Sequence, residues 1–203
     1  MHFFKRAAGR PRKLAVFPGT FNPVTCAHLA LAEAALSVSD QVLFVLPEQF
    51  PHKAYEGATF PQRAGMLKMA LLREPRAAVA STEGGLFLDI ARECRDEFGP
   101  DVQLCFVCGR DAAERIVNWE YPDEYPFREQ LEEVGLLVAS RQGTYCPPAE
   151  YADRIRELPL PGDYDEVSAT RLREALAAGN PWEHLAPEAL RDEIRLIYSR
   201  QAK

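Results

Sequence analysis

A short loop that contains two prolines and a glycine, followed by a threonine and a histidine, is the first place in this sequence where chemistry could occur. In the run VFPGTFNPVTCAHL (16–29), an apolar strand passes through this loop into a helix start. Gly19 can take a positive φ and Pro23 stiffens the loop, so the peptide N–H groups of Thr20 and Phe21 can face an anion. Because a helix N-terminus also carries unpaired N–H groups and a partial positive charge, the run predicts a phosphate-binding site.

Thr25 and His28 lie three positions apart at that helix start. This spacing places both side chains on one helix face, so a hydroxyl and an imidazole can converge on one phosphate. An ordinary turn followed by an ordinary helix-start histidine would have the same letters, because short motifs also match by chance. Other segments have to separate the two interpretations.

A second candidate anion site opens at Ser168, late in the chain. Ser168 is predicted as a helix N-cap, with Thr170 in the first turn and Arg173 three residues further on. A planar guanidinium at Arg173 can hold two phosphate oxygens. The alternative is a capped amphipathic helix whose arginine is solvated.

Alternating strands and helices predict the frame that carries these segments. Such alternation, with near-continuous apolar strands, is typical of an α/β fold with a doubly wound, Rossmann-like parallel sheet. The loops at 19–28, 47–60 and 109–111 would then emerge together at the carboxyl edge of the sheet. The predicted strands are 13–17, 41–46, 76–80, 102–108 and 135–140, and the predicted helices between them are 26–37, 61–73, 86–98, 111–119 and 127–133.

Composition shifts divide the chain into three parts. Residues 1–12 form a basic N-terminal arm, expected to be loose and without the apolar core of a secretion signal. Residues 13–162 form the α/β core, although the proline-rich texture from 145 onward suggests that a cap begins there. Residues 163–203 form a small helical C-terminal part, with helices at 168–178 and 187–199, that completes the anion site.

The net charge of −6 makes the whole chain a poor general binder of nucleic acid or of an anionic membrane, so neither is expected as a partner. The sequence contains no run of about 18 apolar residues, so no membrane-spanning helix is predicted. A content of 47% hydrophobic residues in 203 is enough for one buried core.

Five scattered cysteines argue against a disulfide framework and favour a reducing compartment, so a cytoplasmic location is expected. Cys105 and Cys108 stand three apart on a predicted strand. Because such positions face opposite sides, they are interpreted as core thiols and not as a zinc or disulfide pair.

Taken in order, these segments resemble the nucleotidylyltransferase superfamily and, within it, the nicotinamide or nicotinate mononucleotide adenylyltransferases. The resemblance spans nearly the whole chain. Its motifs are the loop 19–29, Pro-His-Lys at 51–53, Cys-Gly-Arg-Asp at 108–111, Trp119, the segment 168–173, Leu-Ala-Pro at 185–187 and the helix 194–198.

The resemblance implies a nucleotidylyltransferase fold and adenylyl transfer from ATP to a phosphorylated acceptor, with release of pyrophosphate. Its implied catalytic residues are His28, Lys53 and Arg173. Its implied ATP-binding residues are Gly19, Thr20, Phe21, Thr25, His28, Ser168, Thr170 and Arg173, and its implied substrate-binding residues are Lys53, Gly109, Asp111 and Trp119. Mg²⁺ would accompany ATP without a dedicated set of protein ligands, and a homo-oligomer is possible. No general base is needed, because a phosphate nucleophile with a second pKa of about 6 is already ionised.

Three positions depart from the family pattern. Ala27 and Arg110 replace smaller residues, and 86–89 reads Leu-Phe-Leu-Asp where a Tyr-Thr pair is expected near the pyridine. Alternatives therefore stay open: another phosphorylated acceptor such as phosphopantetheine, a non-catalytic dinucleotide sensor, or a nucleic-acid binder that uses the basic arm. Asp111 could also be a helix N-cap, and Trp119 could be packed core.

Overall fold

A seven-stranded sheet organises the part of the chain described by the computed structural model, which comprises residues 1–48, 57–119, 126–140, 145–160 and 162–199. The strands are β1 (His2–Lys5), β2 (Lys13–Pro18), β3 (Gln41–Pro47), β4 (Ala77–Thr82), β5 (Gln103–Gly109), β6 (Val134–Ser140) and β7 (Ile155–Pro159). The helices are α1 (Cys26–Leu36), α2 (Phe60–Ala70), α3 (Phe87–Phe98), α4 (Arg110–Val117), α5 (Phe127–Glu133), α6 (Ala169–Ala177) and α7 (Arg191–Tyr198). Short 3₁₀ turns lie at Ala149–Tyr151, Gly162–Tyr164, Glu183–Leu185 and Glu188–Leu190.

The strand order is β1-β4-β3-β2-β5-β6-β7, and every neighbouring pair is parallel except β1 with β4. The order reverses at β2, from which the chain winds outward in both directions. The predicted doubly wound α/β fold is therefore confirmed. Since β2, β4 and β5 all end at one edge, the loops that follow them open toward the same side of the molecule.

The sheet separates two apolar clusters, and its central strands are buried on both faces. All seven residues of β3 are buried, with Phe44 in one cluster and Leu43 in the other. Cys105 packs against the first cluster and Cys108 lies in the second, so the two thiols face opposite sides as predicted. Burial raises the pKa of Cys108 to about 12, which keeps its thiol protonated. Within the described ranges, the helices are too short or too polar to cross a membrane.

The N-terminal segment is an edge strand, so the expectation of a loose arm is wrong. β1 pairs antiparallel with β4, with His2 opposite Ser81. Phe3 packs against one apolar cluster and Phe4 against the other, while the Lys5 ammonium donates to the Glu74 carbonyl at 2.8 Å. The basic residues of the segment suggested solvation, but two adjacent, partly buried phenylalanines on opposite strand faces pack it against the sheet instead.

A further strand, β7, occupies the proline-rich stretch that suggested the start of a cap. It pairs parallel to β6, and Ile155 and Leu158 are each 2% exposed. Pro159 ends the strand at the open edge of the sheet, a place where a missing N–H is tolerated. The sheet therefore continues through this segment, and the helical part begins after it.

Removing residues 2–5 should lower the free energy of unfolding by about 2 to 4 kcal/mol, because two phenylalanine contacts and the ladder with β4 are lost. Urea unfolding of the truncated and full chains measures the difference. A loose arm would leave the unfolding midpoint unchanged.

Candidate active site

Three segments that are far apart in sequence meet at the carboxyl edge of the sheet. They line a pocket of about 170 Å³ formed by the end of β2, the start of α1, the end of β5 and the start of α6. Four sequence-predicted site residues are among its walls, namely Thr25, His28, Gly109 and Ser168. The first and second candidate anion sites are therefore one site.

The start of α1 sets the chemistry of His28. The Thr25 backbone N–H donates to Nδ1 of His28 at 2.9 Å, and the Thr25 hydroxyl oxygen lies 2.8 Å from the same nitrogen. Because a backbone N–H can only donate, Nδ1 is an acceptor, and we assign the proton of the neutral ring to Nε2. The helix cap thus makes Nε2 a hydrogen-bond donor.

Thr25 is fully buried and acts as the N-cap of α1, with its hydroxyl directed at His28. The sequence placed the two side chains beside each other in the first turn. The structure places the hydroxyl behind the imidazole, as a capping group that orients it. The predicted role of Thr25 as an ATP ligand stays a prediction.

An aromatic cluster holds the His28 ring from the other side. The ring centroid of Phe21 lies 5.2 Å from that of His28 in an edge-on arrangement, and the centroid of Phe17 lies 5.9 Å away. Phe21 also packs against Phe44 at 5.2 Å. Cap and cluster together restrict the imidazole to one orientation before a ligand arrives.

The loop between β2 and α1 is shaped differently from the expectation for Gly19. Phe21, and not Gly19, has the positive φ, at 46°. A Cβ atom at position 19 would lie 2.8 Å from Cζ of Phe21, so glycine is required because the Phe21 ring folds over it. Phe21 is 2% exposed, so its ring belongs to the core beneath the loop. Its predicted role as an ATP ligand stays a prediction.

Asn22 is a buried polar hub that joins four segments. Its side-chain oxygen accepts from the Ala58 N–H at 3.1 Å and from the Tyr198 hydroxyl, and its carbonyl accepts from Arg173. Gly57 lies directly on it, because a Cβ there would be 2.8 Å from the Asn22 Oδ1. The loop is therefore tied to the segment before α2, to α6 and to α7.

The start of α6 matches its prediction. Ser168 is the N-cap and its hydroxyl accepts from the Arg171 N–H at 3.1 Å. Arg173 donates to Asn22 with one terminal nitrogen and lies 3.4 Å from the Thr170 hydroxyl with the other. Its guanidinium is thus held at the loop between β2 and α1.

The predicted acceptor residues follow β5. Gly109 is the N-cap of α4, so the alternative that Asp111 caps this helix is wrong. Nothing lies within 4 Å of the place that a Cβ at 109 would take, which leaves room for a ligand. Asp111 is exposed, and Trp119 is 68% exposed, so the packed-core alternative for Trp119 is also wrong. Lys53 lies outside the described residues, and its role stays a prediction.

Two of the three departures from the family pattern, Arg110 and the segment 86–89, have local explanations. Arg110 donates to the Glu114 carboxylate at 2.8 Å along α4, so its charge is paired. At the start of α3, the ring of Phe87 packs 4.7 Å from that of Phe106, while Leu86 is 63% exposed. The start of α3 therefore carries apolar side chains where hydroxyls were expected.

Sequence reasoning missed two polar contributors, Arg63 and Tyr198. Arg63 is 3% exposed and donates to the Thr20 carbonyl at 2.8 Å. One signal was available, because Arg63 falls in helical phase with the buried Met66 and Leu67, where an apolar residue is expected. Tyr198 stood in the helix 194–198, which served only as part of the family resemblance, without a role for the tyrosine hydroxyl.

The sequence is similar to one protein family and to described proteins of several bacteria. Residues 16–175 match the family described as cytidylyltransferase-like. A Solibacter usitatus protein described as a "probable nicotinate-nucleotide adenylyltransferase" is 35% identical over 187 residues, which cover 88% of this chain and 94% of that protein. A Gloeobacter violaceus protein with the same description is 31% identical over 191 residues, which cover 87% and 90%.

Solved structures show the same fold. Plasmodium falciparum nicotinic acid mononucleotide adenylyltransferase complexed with NaAD is similar with a TM-score of 0.70 at 15% identity, over 91% of this chain and 95% of that one. The same protein complexed with APC gives a TM-score of 0.66 at 14% identity, over 89% and 95%.

Replacing Tyr198 by phenylalanine should lower the free energy of unfolding by about 1 kcal/mol, because Asn22 loses one of its hydrogen bonds. Urea unfolding measures the change. The matched control is Tyr151→Phe, which removes a hydroxyl beside Phe127 in the other core cluster and should change stability less. Equal midpoints for the two variants would contradict the role assigned to the Asn22 contact.

Proposed function

Since the chain belongs to the cytidylyltransferase-like family and, within it, to the nicotinate-nucleotide adenylyltransferases, we propose that it transfers the adenylyl group of ATP to the 5′-phosphate of nicotinate mononucleotide. An oxygen of that phosphate attacks the α-phosphorus of ATP. The bond from this phosphorus to the bridging oxygen breaks, and pyrophosphate leaves. The product is the dinucleotide of nicotinate and adenine.

The observation that carries this proposal is the convergence of two helix starts on one pocket. The N-termini of α1 and α6 both open there, through His28 and Ser168. Each helix start favours negative charge, so together they suit a polyphosphate better than a single phosphate. The Nε2–H of His28 and the guanidinium of Arg173 add two hydrogen-bond donors for anionic oxygens beside the same loop.

Catalysis by these residues consists of positioning and charge stabilisation. The nucleophile is an ionised phosphate, so no side chain has to remove a proton. His28 donates from Nε2 to a phosphate oxygen as negative charge develops, and Arg173, with Ser168 and Thr170, holds the pyrophosphate end. The ammonium group of Lys53 neutralises the negative charge of the approaching phosphates.

The acceptor occupies the side of the pocket formed by β5 and α4. The open space at Gly109 admits a ribose, and Asp111 in the first turn of α4 can accept from its hydroxyls. Trp119 offers an exposed aromatic face for the pyridine ring.

Mg²⁺ supplies charge neutralisation of the triphosphate when it is bound. In the parts of the chain that the structure describes, no three His, Cys, Asp or Glu side chains form a cation site. In this proposal the phosphate oxygens and water would provide most of its ligands, an arrangement that suits a cation that dehydrates reluctantly.

Pyrophosphate release from Mg-ATP by the purified protein tests the reaction. We expect release with nicotinate mononucleotide and slower release with nicotinamide mononucleotide. Phosphopantetheine serves as the control acceptor and should give none. If neither mononucleotide gives pyrophosphate release, the proposed acceptor is rejected.

Replacing His28 by alanine should lower kcat about 100- to 1,000-fold, because a donor to the developing charge is lost. His28→Asn should lose as much activity yet keep its stability, since its side-chain oxygen can still accept from Thr25 while nothing reaches the Nε2 position. The exposed His184 provides the matched control, and His184→Ala should keep wild-type kcat. A His28→Asn variant with wild-type kcat would remove His28 from the mechanism.

A further inference from the structure

Arg63 is an arginine in an apolar environment. It lies on α2 at 3% exposure, on the helix face shared by Ala64, Met66 and Leu67. A buried guanidinium loses hydration that a methionine or leucine at the same place would not lose. Its presence therefore calls for an interaction that an apolar side chain cannot make.

One such interaction is with the backbone of the loop between β2 and α1. One terminal nitrogen of Arg63 donates to the Thr20 carbonyl at 2.8 Å, across 43 positions of the chain. The Thr20–Phe21 peptide is trans, since the cis peptide found among the described residues is at Asn22–Pro23. In a planar trans peptide the C=O and N–H bonds point in opposite directions, so the Phe21 N–H points away from Arg63.

A second arginine holds another carbonyl of the same loop, two residues further on. Arg173 donates to the Asn22 carbonyl, so the carbonyl groups of Thr20 and Asn22, the two neighbours of Phe21, are each held by a guanidinium. The negative ends of two peptide dipoles are thereby taken up by the protein. Between them, Phe21 has the left-handed backbone conformation, at φ 46°, that such a loop requires.

We propose that Arg63 is a positioning residue for nucleotide binding, which fixes the Thr20 carbonyl so that the Phe21 N–H is presented to a phosphate oxygen of ATP. Arg63 does not touch the nucleotide. Its effect is transmitted through one peptide unit. The inference rests on the proposed function, because it takes the anion at this loop to be the ATP polyphosphate.

Binding of a non-hydrolysable ATP analogue, measured by calorimetry, tests the proposal. Arg63→Met fills the same apolar space without a donor and should weaken binding about tenfold, the effect of losing one well-placed hydrogen bond. Arg63→Lys, which keeps the charge and one donor, should recover part of the affinity. Arg76→Met is the matched control, because Arg76 donates to the Leu36 carbonyl at 3.2 Å, far along the chain from the loop, and should bind as wild type.

Steady-state kinetics separate positioning from general damage. In Arg63→Met, the KM for ATP should rise about tenfold, while the KM for the mononucleotide should stay within about twofold of wild type. Equal losses toward both substrates, or wild-type affinity for the ATP analogue, would overturn the proposal.

A measurement on the unmodified protein guards against a variant that does not fold. With isotope-labelled phenylalanine, the Phe21 amide proton should shift downfield when the ATP analogue is added, while that of Phe44 in β3 should not. An unmoved Phe21 amide in protein that binds the analogue would overturn the proposal. The binding and amide experiments need no acceptor, so a failure of adenylyl transfer to mononucleotides would reject the proposed function without being mistaken for a failure of the Arg63 inference.

Discussion

The backbone between β2 and α1 has to satisfy two opposing requirements, and the rest of the site depends on how it does so. An anion site made of peptide N–H groups needs those groups to face the ligand, but each N–H brings a carbonyl that repels the same anion. In this chain the carbonyls of Thr20 and Asn22 are held by Arg63 and Arg173. The loop keeps a shape that its own residues do not favour, with Phe21 in the left-handed region.

This constraint explains why distant segments converge on Asn22. Tyr198 reaches it from 176 positions away and Arg173 from 151. A loop held only by its neighbours in sequence would relax toward ordinary turn geometry, because local contacts alone do not compensate the strain. Besides covering the sheet, the C-terminal helices α6 and α7 therefore hold the loop in place through Arg173 and Tyr198. Burial raises the pKa of Tyr198, so its hydroxyl remains a donor at neutral pH.

Much of the architecture could be predicted, because near-continuous apolar strands separated by amphipathic helices have few alternatives to a parallel sheet. β1 and β7 were not predicted because neither is a near-continuous apolar strand. Both are short edge strands whose charged or proline residues resemble solvated segments, and their burial depends on a sheet edge that exists only after folding. His28 and Ser168 were predicted at two helix starts, and the structure brings both to one pocket, while their contacts with ATP stay a prediction.

The sequence by itself determined which chemical groups are present and their order at the carboxyl edge of the sheet. Folding decided which atoms face each other. That the Thr25 amide sets the donor nitrogen of His28, that Phe21 rather than Gly19 bears the positive φ, and that Arg63 holds a carbonyl are properties of contacts between segments. Residue type and spacing limit what a side chain can do, but hydrogen-bond direction depends on three-dimensional placement of both partners, which only the tertiary structure supplies.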